Sequence, residues 1–267
     1  MDLIATLEKL EPVFMQAGEL ACKMQKGVKH HNKFNSGNPV KDIVTEADLA
    51  VQELLLEAMS KTDLVNCRLM AEEKTPLASK FNEQGRYYLA IDPIDGTAIY
   101  AKNGKYFSQI ISLHDGKNFL YRFVRYPKLN WTLKIVNNNY SILGETPTFS
   151  LPTEAQRTIV YWVGNPEKNI SEELLIKLKN KGLCFAQIET FGEDVSSIVM
   201  FACNKAAGVY EENINVYDGL TEYNIALAKG FRVYSDGPRG RVDLSNIKKE
   251  EIGLYYPGYC LELNKVD

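Results

Sequence analysis

Two carboxylates, a glycine and a hydroxyl stand together in Asp92-Pro93-Ile94-Asp95-Gly96-Thr97, directly after the apolar run Tyr87 to Ile91. If that run is a strand, Asp92 and Asp95 converge at its end, where open α/β folds place ligands. Gly96 lets the backbone approach a ligand closely. Thr97 offers a hydroxyl, and a helix starting there would present free N–H groups to a phosphate. Carboxylates and phosphates repel unless cations lie between them, and oxygen-only donors favour Mg2+ or a similar hard cation over zinc. The pattern therefore reads as metal-assisted phosphate chemistry, with two ions roughly 3.5–4 Å apart on the attacking and leaving oxygens. The competing reading is a simple turn, since Asp, Pro and Gly are turn residues.

Other acids have structural alternatives of their own. Glu72-Glu73 follows Arg68-Leu69-Met70-Ala71 and reads equally as a solvated loop. Asp48 closes Thr45-Glu46-Ala47-Asp48, which matches a capping box. Asp218 immediately precedes an apolar-periodic segment and is a natural N-cap.

The elements that must position these residues follow from periodicity. Leu3, Leu7, Leu10, Phe14, Ala17, Ala21 and Met24 define an amphipathic helix over 3–24, and a second helix is expected from Thr45 to Met59. Lys26 to Asn38 is polar and reads as a loop or hairpin. The strand from Tyr87 should stop near Asp92, because Pro93 cannot donate to a ladder. Antiparallel strands are expected over 106–113, 119–124 and 132–136, with Asp115-Gly116 as the turn between the first two. Farther on, strands at 158–163, 183–188, 208–210 and 231–234 alternate with helices at 171–181, 195–204 and 218–229. The expected class is α/β: an α+β region over 1–148 and an α/β region over 149–267, meeting at a seam near 144–153.

The chain has 267 residues, 45% hydrophobic and 24% charged, with net charge -3. That balance offers no long-range attraction to nucleic acid or to an anionic membrane, so neither is expected as a partner. Five scattered cysteines form no CxxC pair and read as reduced thiols, and three histidines show no zinc-hydrolase spacing. No apolar run reaches bilayer length, and charges interrupt the N-terminal segment, so a cytoplasmic location is expected.

Taken together, these segments resemble the inositol monophosphatase superfamily of lithium-sensitive, Mg2+-dependent phosphatases. Asp92 to Thr97 is similar to its hallmark segment throughout. Asp42-Ile43-Val44-Thr45-Glu46-Ala47-Asp48 resembles an upstream motif, Ala71-Glu72-Glu73 its paired glutamates, and Tyr217-Asp218 its distal Trp-Asp motif. The resemblance spans nearly the whole chain and implies a layered αβαβα sandwich. It implies two or three Mg2+ ions per site: one on Glu72, Asp92 and the Ile94 carbonyl, another on Asp92, Asp95 and Asp218, and a weaker third on Glu72 with waters. It also implies that Thr97, paired with Asp48, orients and helps deprotonate the attacking water. Gly96 and Thr97 N–H groups would bind phosphate, Lys41 would add positive charge, and Gly192, Glu193 and Glu211 would contact substrate. A homodimer is implied as well.

The departures cluster around the substrate. Tyr217 replaces the usual Trp, and Gly219-Leu220-Thr221-Glu222 replaces small alanines. Glu193 and Asp194 follow Gly192 where Ser or Thr is usual; they would disfavour a second phosphate and either bind sugar hydroxyls or cap the helix from Val195. The reading is an inositol monophosphatase-like phosphomonoesterase. The alternative, suggested by Lys102-Asn103-Gly104-Lys105-Tyr106-Phe107, is a 3'(2'),5'-bisphosphate nucleotidase, and a third is a catalytically weak metal- or metabolite-binding regulator.

Overall fold

The computed structural model describes residues 2–27, 30–32, 43–148, 151, 153–215, 219–236, 248–250 and 253–263. The chain divides into two compact units, one built mainly from residues up to Glu145 and the other mainly from Thr146 onward.

In the first unit, helix α1 (Leu3–Met24) opens on Asp2, whose side chain accepts from Ala5 N at 3.0 Å. A short two-stranded ladder, β1 (His30–Asn32) with β2 (Ile43–Thr45), leads into helix α2 (Glu46–Met59). Then come β3 (Arg68–Ala71), β4 (Tyr88–Asp95), helix α3 (Thr97–Ala101), β5 (Ser108–His114), β6 (Phe119–Tyr126), β7 (Trp131–Val136) and β8 (Asn139–Leu143). Strands β3 to β8 lie side by side in sequence order, with only the β3–β4 pair parallel. The spacing of three and four along α1 and α2 buries Leu7, Phe14, Val51 and Leu55 against Leu89, Ile91, Ile111 and Phe123 on one face of this sheet. The Asp115-Gly116 turn forms as expected: Asp115 Oδ1 accepts from Lys117 N and Asn118 N.

The second unit comprises β9 (Thr158–Tyr161), α4 (Pro166–Asn169), α5 (Glu172–Asn180), β10 (Cys184–Gln187), α6 (Ser197–Ala202), β11 (Gly208–Asn215), α7 (Thr221–Lys229), β12 (Arg232–Ser235) and most of β14 (Gly253–Leu263); of β13 (Lys248–Glu250) only Lys248 is counted with it. Its sheet runs β10-β9-β11-β14-β12, with β13 also paired to β14; β9 is parallel to both β10 and β11, and β14 is antiparallel to β11 and β12. Helix α5 seals one face, where Leu178 and Leu183 meet Ile159, Tyr210, Leu261 and Leu263.

The mixed α/β class is as expected from the sequence, and several local expectations are corrected. Strand β4 does not stop at Asp92 but continues through Pro93 to Asp95. Arg68–Ala71 is a strand, and it, β8, β13 and β14 carried no sequence expectation. Helix α6 starts at Ser197, capped by Ser196 Oγ accepting from Val199 N at 3.3 Å, so neither Glu193 nor Asp194 caps it. Helix α7 starts at Thr221, and Leu220 occupies its N-cap in the left-handed region. Asp218 and Lys41 lie outside the described residues.

Candidate active site

Asp92 and Asp95 are three residues apart, and in a regular strand they would face opposite ways. The β4–β5 register resolves this. Asp92 pairs with Ile110 and Asp95 with Ser108, so three steps on β4 oppose two on β5. The extra residue is a bulge, and it falls at Pro93-Ile94, where the missing proline N–H needs no ladder partner. Because Ile110 and Ser108 share a face, the bulge returns Asp95 to the face of Asp92. Ile91 and Ile94 meanwhile remain in the core with α1 and α2.

Glu72 joins the same face by a different route. Arg68 to Ala71 pair in parallel with Tyr88 to Ile91, and Glu72 N donates to Ile91 O at 3.2 Å, continuing the ladder one step. Glu72 is therefore level with Asp92. The turn beyond it is fixed from α2: Gln52 Nε2 donates to Glu73 O at 2.6 Å, and Gln52 Oε1 accepts from Glu73 N at 2.9 Å. Asp48, one turn before Gln52 on α2, is buried.

Gly96 links β4 to α3 with φ of 82°, a conformation that favours glycine. Thr97 then opens α3, and its hydroxyl donates to the Ile94 carbonyl at 3.1 Å. Ser108 Oγ donates to Asp95 Oδ2 at 2.6 Å, orienting that carboxylate. Helix α3 is held from α1: Tyr100 OH donates to Ala21 O, and Gln25 Nε2 donates to Tyr100 O and Gly104 O. Burial, reinforced by the charge of Asp48, holds the Tyr100 phenol above its ordinary value, so Asp48 lies within electrostatic reach of α3.

The same sheet face carries a stack away from the acids. Arg68 lies over Tyr88, whose ring is parallel to His114 at 4.7 Å. Burial first, and Arg122 second, push His114 down to about 4, so it is neutral at pH 7. Its Nδ1 accepts from Gly116 N, a structural role.

The side-chain donors on this face, Glu72, Asp92 and Asp95, are all oxygens, which suits a hard cation. Among the described residues no three His, Cys, Asp or Glu side chains close on one point tightly enough to hold an ion. The expected ligand set includes Asp218, which lies outside them. Gln52 and Ser108 carried no sequence signal, because each acts through contacts far along the chain.

In the second unit, Gly192 and Glu193 lie in the loop between β10 and α6, and Glu211 lies within β11. Val160 pairs with both Val209 and Ala186, and Trp162 follows directly after the last residue of β9. Tyr161 and Tyr210 meet on the α5 face, so Glu211, the next residue of β11, belongs to the opposite face. Trp162 Nε1 donates to Ser197 Oγ at 3.3 Å, at the start of α6 and just after the Gly192–Asp194 loop. Glu212 plays a structural part, because its carboxylate accepts from Asn165 N, Asn169 Nδ2 and Tyr210 OH and so fixes the loop after Trp162.

Comparison with known proteins bears on this architecture. Among solved structures, the extragenic suppressor protein SuhB from Bartonella henselae is similar, with a TM-score of 0.66 at 15% identity, covering 98% of this chain and 95% of that one. Staphylococcal IMPase-I complexed with products gives 0.64 at 15% identity, covering 98% and 92%. An IMPase/NADP phosphatase complexed with Mg2+ and phosphate gives 0.65 at 15% identity, covering 99% and 93%. At these identities the likeness establishes the fold. No curated protein matches the sequence. The model of the inositol monophosphatase family matches residues 6–228, and the chain therefore belongs to that family.

Proposed function

We propose that this protein is a Mg2+-dependent phosphomonoesterase of a small phosphorylated metabolite, with inositol phosphates as the leading substrate class. The observation that carries the reading is the common face of Glu72, Asp92 and Asp95, produced by the parallel β3–β4 pair and the bulge at Pro93-Ile94. Family membership supports the phosphatase activity, and the similar phosphatase complexed with Mg2+ and phosphate supports the choice of ion.

Glu72, Asp92 and the Ile94 carbonyl would hold one ion, Asp92, Asp95 and Asp218 a second, and Glu72 with waters a third. When bound, such ions neutralise charge at the phosphoryl group and acidify water, so no covalent enzyme intermediate is needed. The chain's own groups orient the reaction. Thr97, with Asp48, positions and helps deprotonate the attacking water. The N–H groups of Gly96 and Thr97 bind phosphate oxygens, and Lys41, Gly192, Glu193 and Glu211 contact the rest of the substrate. The working assembly is a homodimer, to be checked by light scattering.

A second reading, the 3'(2'),5'-bisphosphate nucleotidase, draws on the Lys102–Phe107 segment, which runs directly from α3 into β5. The test is phosphate release across inositol phosphate, adenosine 3',5'-bisphosphate, NADP and sugar phosphates, with and without Mg2+. Mg2+-dependent release is expected from at least one. No release from any, at any Mg2+ concentration, overturns the proposal.

A further inference from the structure

We propose that the outer edge of β12, beside α5, is a docking site for an extended acidic segment of a partner protein, which pairs with β12 and adds a strand to the second unit's sheet. Strand β12 ends that sheet: β14 pairs with one side of it, and among the described residues no strand pairs with the other. An open side presents backbone N–H and C=O groups at the spacing that another strand needs.

The register shows what this edge offers. Arg232 pairs with Leu263 and Tyr234 with Leu261, so these four side chains share one face, the face that α5 covers. On α5 and its C-cap, Leu174, Lys177, Leu178 and Lys181 recur at spacings of three and four and form one stripe. That stripe meets Arg232 and Tyr234 across a shallow groove, with buried Leu178, Leu183 and Leu263 beneath. Exposed Lys177, Lys181 and Arg232 stand around its rim. A helix C-terminus favours the two lysines by itself. It does not account for Arg232, which the sheet register brings to the same groove.

The acids of this region are placed elsewhere. Glu172 and Glu173 occupy the first turn of α5, and Asp236 Oδ1 accepts from Tyr259 N at 3.2 Å. Glu262, between Leu261 and Leu263 on β14, faces away from α5. On a chain of net charge -3, the groove is lined by three cations and no carboxylate. Its charge therefore selects an acidic segment and rejects a basic one. A strand added at β12 would send alternate side chains toward α5, setting carboxylates against Arg232 and the lysines and an apolar group on Tyr234. None of these residues belongs to the proposed phosphate site.

The test uses the full-length chain and short fluorescent peptides followed by anisotropy. One peptide alternates Glu and Val, and a second alternates Lys and Val. The last is the Glu–Val peptide with an N-methylated backbone, which keeps the charge but cannot pair with a strand. Saturable binding of the first alone is expected, weakened by salt and accompanied by slower hydrogen exchange at the β12 amides. Arg232→Glu and Lys177→Glu should each weaken it roughly tenfold or more, with circular dichroism and phosphate release unchanged. No saturable binding of the Glu–Val peptide, equally tight binding of either control, or unchanged affinity in both variants overturns the proposal. Binding of phosphatidylserine vesicles in place of the peptide, or dissociation of a dimer by Arg232→Glu in light scattering, also overturns it, assigning the groove to a membrane or to a second copy.

Discussion

Gln52→Leu is expected to loosen the turn that carries Glu72. Gln52 is fully buried in α2, and its amide exchanges two hydrogen bonds with the Glu73 backbone, at 2.6 and 2.9 Å. Leucine is similar in volume, so the packing change is small. What is lost is the partner of one buried N–H and of one buried C=O. Each orphaned group costs about 1–3 kcal/mol if it stays dry, which gives roughly 2–6 kcal/mol for the two. Opening the turn to water relieves part of this, so the expected loss is about 2–3 kcal/mol. For a urea slope of about 2 kcal/mol per molar, the midpoint of the first unit's unfolding falls by roughly 1 M. Hydrogen exchange at the Glu73 amide should accelerate in step. Because the turn orients Glu72, half-saturating Mg2+ for phosphate release should rise by about tenfold, the scale of lost outer-shell support. Gln52→Glu keeps an acceptor for Glu73 N–H but sets a charge against Glu73 O, so it should be at least as damaging. A Gln52→Leu protein with an unmoved midpoint, a protected Glu73 amide and an unchanged Mg2+ curve would refute the reasoning.

Asp95→Asn should abolish Mg2+-dependent phosphate release while circular dichroism stays unchanged, since Ser108 Oγ can still donate to the amide oxygen. Thr97→Ala should lower kcat more than it changes KM, because the hydroxyl positions the attacking group rather than binding the ground state. In the second unit, burial, with the charge of Glu222 adding to it against the opposing Cys260 contact, lifts the Glu262 carboxyl to about 8. The folded chain then holds a proton that the unfolded chain releases near pH 4.5. That stabilisation is complete below about 4.5 and fades as pH rises through 8. Glu262→Gln should flatten the fall of Tm between about pH 5 and pH 8, and an unchanged slope would count against the buried acid.

Much of this protein is legible along the chain. The two amphipathic helices, the Asp115-Gly116 hairpin and the strand-turn-helix around Asp92 to Thr97 are all local, because side-chain period and turn chemistry act over a few residues. The identities of the acids, and the kind of ion and ester they suit, are likewise written in the residues themselves. Which way those acids point is not. Asp92 and Asp95 share a face only because β5 imposes a bulge on β4, and Glu72 reaches them only because β3 pairs in parallel with a strand that does not begin until Tyr88. Gln52 and Ser108 acquire their roles from Glu73 and Asp95, partners that no spacing along the chain announces. Residue type and local period determined the chemistry on offer; long-range strand register, a property of pairs of segments, decided where that chemistry is gathered.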